Sequence, residues 1–120
     1  MGLLRRYKAR DKRKRSDPYT EGLNHILAGR FKEAALALTD AIRADTGNID
    51  AYLKLGWIYR RQGKLRRAVQ LHRELSVRTG LPPETLTLVK RELALDLEQM
   101  GRFEAAQQVL EQAAASGPEE

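Results

Sequence analysis

Three stretches of this chain align when each is anchored on a glycine: "GRFKEAALAL" from Gly29, "GKLRRAVQLH" from Gly63 and "GRFEAAQQVL" from Gly101. The glycines stand 34 and then 38 residues apart. Phe31, Leu65 and Phe103 keep one offset from them, and Ala34, Ala68 and Ala106 keep another. Self-similarity at such a period means that one supersecondary unit is repeated and stacked, because a single unit cannot bury its own apolar face. With 120 residues there is room for three units and one continuous core.

Within the middle unit, Tyr52, Leu55, Gly56 and Tyr59 recur at helical spacing before Gly63. A glycine there can stop a helix with a positive φ that other residues resist. After it, Leu65, Ala68, Val69, His72 and Leu75 form a second helical stripe. Gly56 and Ala68 are small where two helices must approach closely. Asp17-Pro18 suits an N-cap followed by a first-turn proline, and Asn48 suits a second cap. Pro82 and Pro83 break one helix and admit the next. The pattern predicts an all-α chain of six helices near 18–28, 31–44, 49–62, 65–78, 84–100 and 103–115, in units of about 17–47, 48–80 and 84–117. Residues 1–16 read as a basic arm and 118–120 as a tail.

The residues Tyr52, Leu55, Gly56, Tyr59, Gly63 and Ala68 resemble the tetratricopeptide repeat pattern W-x2-L-G-x2-Y followed by alanine. The first unit keeps Gly22, Gly29, Phe31, Ala34, Leu38 and Ala41, with Glu21 where leucine is usual. The third keeps Leu93, Ala94, Leu97, Gly101, Phe103, Ala106, Leu110, Ala113 and Pro118. The resemblance implies three helix-turn-helix repeats stacked as a short right-handed solenoid. Longer stretches, such as "DTGNIDAYLKLGWIYRRQGKLRRAVQLHREL", are similar to the N-terminal repeats of the lipopolysaccharide assembly protein B family. That resemblance implies an adaptor restraining lipopolysaccharide synthesis by bringing a deacetylase to a membrane protease. Members of that family also carry an N-terminal membrane anchor and a cysteine-rich metal domain, and neither has a counterpart in this sequence.

Composition narrows the chemistry. With no cysteine and only His25 and His72, disulfides, thiol nucleophiles, cysteine-ligated metals and histidine-rich sites are excluded. No paired catalytic carboxylates, Ser/His/Asp arrangement or phosphate-cradling glycine loop stands out, so the expectation is a non-enzyme with no cofactor and no metal. Glu92 and Asp96 share one helix face and read as solvated. His72 reads as a partly buried packing histidine. No apolar run approaches the roughly 18 residues of a membrane span. "MGLL" is too short for a secretion signal, and the expected location is cytoplasmic, with peripheral contact at the inner face of the membrane as an option.

The formal charge of +6 is concentrated in two places. Residues 1–15 carry +7 (eight basic, one acidic) and residues 54–78 carry +7 (eight basic, one acidic), whereas 16–53 and 79–120 carry −3 and −5. The arm's cations are Arg5, Arg6, Lys8, Arg10, Lys12, Arg13, Lys14 and Arg15. They fit a solubilising tail, a contact with an anionic membrane, or salt-sensitive nucleic-acid binding, in falling order. An arm-driven membrane or nucleic-acid binder is the alternative function.

The leading expectation is a groove lined by first helices. In the middle unit it contains Leu53, Lys54, Trp57, Arg60 and Arg61. Tyr19, Leu23 and Leu27 contribute from the first unit, and Arg91, Leu95 and Glu98 from the third. Trp57 either lines this groove or packs between repeats, and a tryptophan beside arginine is typical of a binding hot spot. Tyr19 and Leu23 stand where a carboxylate clamp would need Lys and Asn, so the groove suits an acidic or amphipathic protein segment instead. Arg66 and Arg67, past the turn, read as solvated. Glu104, Gln107, Gln108, Glu111 and Gln112 let the last helix close the stack as a monomer, and its alanine-rich surface leaves a weak homodimer open.

Overall fold

In the computed structural model, which describes residues 17–115, the repeated glycines are helix stops. Gly29, Gly63 and Gly101 have φ of 74°, 75° and 78°. At the middle turn the Gly63 N–H donates to Arg60 O at 3.0 Å and the Lys64 N–H donates to Tyr59 O at 2.8 Å. The same pair of bonds recurs at Gly29 and Gly101. This is the Schellman arrangement, which satisfies the last carbonyls of a helix and needs a left-handed residue just past it. A side chain at these positions would be strained although nothing lies within 4 Å of its Cβ.

Every regular element among the described residues is a helix: α1 (Pro18–Leu27), α2 (Phe31–Ala44), α3 (Ile49–Arg61), α4 (Leu65–Ser76), α5 (Pro83–Gln99) and α6 (Phe103–Ala115). Their ends lie within two residues of the ends that the sequence pattern predicts. Each helix packs on its successor, so α1–α2, α3–α4 and α5–α6 form hairpins stacked in order. The chain is an all-α helical repeat.

The start signals act as their chemistry requires. Asp17 Oδ1 accepts the Thr20 N–H at 2.9 Å, and Asn48 Oδ1 accepts the Ala51 N–H at 3.1 Å. The Thr20 backbone bond holds the exposed Asp17 carboxyl below its ordinary value of 3.8. Because the folded value is the depressed one, the cap contributes fully above that ordinary value and is lost as pH falls through the lower, folded value. An acid titration followed through the Thr20 amide resonance should show the start of α1 loosening as pH falls below that ordinary value.

The apolar core falls into two clusters. One joins Ala34, Leu38 and Ala41 of α2 to Ala51, Leu55 and Ile58 of α3. The other joins Val69 of α4 to Leu93, Ala94 and Leu97 of α5 and Ala106 of α6. Close approach within the hairpins depends on the small residues at equivalent positions. A Cβ on Gly22 would lie 2.8 Å from the Leu38 side chain, and one on Gly56 would lie 2.3 Å from His72 Nε2.

Where α3, α4 and α5 meet, the contact is polar. His72 and Asp96 are fully buried. The Nδ1–H of His72 donates to Asp96 Oδ2. The other carboxylate oxygen, Oδ1, accepts from Arg60 Nη1 at 2.9 Å, and Arg60 Nη2 lies 2.6 Å from Glu92 Oε2. This corrects two expectations. Glu92 and Asp96 are not simply solvated: Asp96 is enclosed and Glu92 is largely covered, with 22% of its side chain exposed. His72 is more than a packing residue, since it satisfies half of a buried carboxylate. The Asp96 carboxylate and the Arg60 guanidinium are enclosed together here, because either of them alone in the stack would be costly.

Candidate functional site

Helix α3 carries the residues nominated for recognition, and the structure divides them between its two flanks. Trp57 and Arg61, four residues apart, turn toward the first unit. The Trp57 ring meets Phe31, the first residue of α2, edge to face with centroids 5.7 Å apart and an interplanar angle of 71°. The Arg61 guanidinium lies 5.1 Å from the Trp57 ring and 5.4 Å from the Phe31 ring, so it rests against both. Trp57 is half-buried and Arg61 exposed. Trp57 packs against the core of the first two units and keeps a solvent-facing portion. Such edge-to-face and cation–π contacts hold the side chains in one arrangement before any ligand arrives.

Arg60, expected in the groove, belongs elsewhere. Only 9% of its side chain is exposed, and it points across to α5, where Asp96 and Glu92 hold it. Burial alone would lower its affinity for the proton, yet the hydrogen bonds and charges of the two carboxylates keep it above its ordinary value. It is a fixed cation inside the stack, held by the two carboxylates of α5. The helical spacing that puts Arg60 on the Trp57 side of α3 carries no sign of the carboxylates that reach it from 32 and 36 residues on.

The other nominated residues are distributed along the stack. Lys54 Nζ lies 6.0 Å from the Tyr19 ring centroid, which ties the first helices of units one and two together. Leu23 and Leu53 are half-buried, and Leu27, at the end of α1, is 87% exposed. Arg91, Leu95 and Glu98 are exposed on one face of α5 at spacings of four and three. Arg66 and Arg67 are exposed, as expected, and Arg67 lies 5.9 Å from the Tyr59 ring. The arm residues Arg5, Arg6, Lys8, Arg10, Lys12, Arg13, Lys14 and Arg15 lie outside the described residues.

One member of the aromatic cluster was not nominated: Phe31 reads as repeat framework because Leu65 and Phe103 share its offset. Its contact with Trp57 spans two units, and periodicity within one unit does not reveal such pairs. Arg61, Trp57 and Phe31 together form an amphipathic patch of two rings and a cation. The patch offers apolar and positive surface side by side.

Comparison with known proteins agrees with this architecture. Profiles of the tetratricopeptide repeat match residues 25–78 and 91–120. The chain is 29% identical over 97 residues to lipopolysaccharide assembly protein B of Escherichia coli K12, and equally to its counterparts in the O6:H1 and O157:H7 strains. The match covers 81% of this chain but 25% of those relatives, so the chain spans about a quarter of their length. Among the described residues no helix is long and apolar enough to cross a membrane. Three glycine-stopped helical hairpins, stacked in order and matched along most of their length by these profiles, make this chain a member of the tetratricopeptide repeat family.

Proposed function

We propose that this chain is a non-catalytic adaptor that takes a protein segment on the face of its first helices, centred on Trp57 and Arg61. The observation that carries the reading is the Phe31–Trp57–Arg61 cluster, where an exposed arginine is already stacked on two rings. Large amphipathic side chains held in place bind at low entropic cost, and tryptophan and arginine dominate interface energetics. Lys54 and Arg61 favour a segment bearing carboxylates, with apolar side chains to meet Trp57 and Leu27. Similarity to lipopolysaccharide assembly protein B supports a partner in lipopolysaccharide assembly.

Capture of partners from the native host by the wild-type chain, Trp57→Ala and Arg61→Ala tests this. Both variants should weaken capture of the same partner by about 2 kcal/mol or more. Arg61 is exposed, so its variant reports on binding without a folding defect. Identical partner sets for all three proteins would sink the assignment.

A further inference from the structure

A groove runs along α4, lined by none of the residues of the Trp57 patch. Arg66, Val69 and Arg73 follow one another at spacings of three and four, which places them on one helical face. With Met100 and Arg102 from the α5–α6 turn they line a groove of about 410 Å³. A neighbouring recess, lined in part by Lys64, Leu65 and Arg67, shares Arg66 and Met100 with it, so the two form a continuous strip. Its apolar lining is Val69, Leu65 and Met100, and its charged groups are almost all cationic. Among the described residues Glu74 is the lone carboxylate on the strip, and Gln70 Nε2 donates to it at 3.5 Å.

Among the described residues none of Arg66, Arg73 and Arg102 takes part in an ion pair, whereas Arg60, on the preceding helix, is fully engaged. Like charges gathered around a low-dielectric recess focus a positive potential into it. A phosphate backbone or a lipid headgroup would answer the charge and leave the apolar lining unmet. An acidic peptide that carries an apolar side chain answers both.

We propose that this α4 groove is a second docking site, for an acidic amphipathic segment of a partner protein, with an apolar residue seated against Val69 and Met100 and carboxylates on Arg66, Arg73 and Arg102. It is separate from the Trp57 face, so the chain can hold two segments at once.

The test uses the full chain and a synthetic helical peptide with leucines at i and i+4 flanked by glutamates. Met1 and Met100 are the only methionines, so a methyl-labelled sample reports on the groove through one resonance. Peptide addition should shift the Met100 methyl. Arg66→Glu with Arg73→Glu, both exposed, should weaken binding about tenfold or more while circular dichroism is unchanged. Replacing the peptide's leucines by serine should weaken it comparably. The proposal is overturned if the Met100 methyl stays still, if the double variant or the serine peptide binds as tightly as its parent, or if phosphatidylglycerol vesicles or an RNA oligonucleotide compete for the groove more effectively than the peptide. Each of these results leaves the Trp57 and Arg61 variants free to report on the first face.

Discussion

Asp96→Ala is expected to lower the stability of this chain by about 3–5 kcal/mol, enough to consume much of the margin of an ordinary domain. The carboxylate is fully buried and takes the His72 Nδ1–H on one oxygen and Arg60 on the other. Removing it leaves Arg60 with only Glu92 and leaves the enclosed imidazole with no hydrogen-bond partner at either nitrogen, since Nε2 has none already. Thermal unfolding should fall by on the order of 15 °C or more for a chain of this size. Replacing the group together is a different matter. The repeat offsets place Arg60, His72 and Asp96 in register with Ile26, Leu38 and Ile58. A chain with Arg60→Ile, His72→Leu and Asp96→Ile should recover most of the loss, because a buried ionic cluster often contributes little more than well-packed apolar side chains. Glu92, already in partial contact with water, can turn outward. If the triple variant proves as unstable as Asp96→Ala, the cluster does more for stability than geometry and charge explain.

Gly56→Ala is the second large effect. The new Cβ would lie 2.3 Å from His72 Nε2 and 2.7 Å from Cε1, which no side chain tolerates without movement. His72 cannot swing aside freely, because Asp96 fixes its other nitrogen and the ring is enclosed. Alanine is the better helix former by about 1 kcal/mol, so an exposed glycine-to-alanine change would stabilise. Here the overpacking should win, for a net cost of about 1–3 kcal/mol in denaturant unfolding. A stabilised Gly56→Ala protein would show that α3 and α4 are not held as closely as described.

These two expectations also show how much the sequence discloses. The six helices were legible because their stops and starts are local chemistry: glycine at three left-handed positions, Asp17 and Asn48 as caps, and Pro82-Pro83 at the start of α5. The stack followed from the repeat period. Trp57 and Arg61 were legible as candidates because an aromatic and a cation on one helix face suit recognition, although their partner Phe31 lies in another unit. Arg60 was misplaced for a physical reason. It shares the Trp57 face in spacing, and only the arrangement of α5 against α3 brings Asp96 and Glu92 to it. A signal was nevertheless present in the offsets, where His72 stands in register with Leu38 and Leu110, and Asp96 with Ile58. Two polar residues at apolar positions of adjacent units are best explained by each other.

Trp57 is the only tryptophan in the chain, so its indole reports on the central claim without ambiguity. The decisive measurement is the indole Nε1–H resonance, together with the emission of the ring, as a captured partner is added to the full-length chain. The account predicts that the resonance moves and the emission shifts in step with binding, and that Arg61→Ala weakens both responses. A partner that binds tightly while the indole signal stays unchanged would contradict the assignment of this face as the recognition surface.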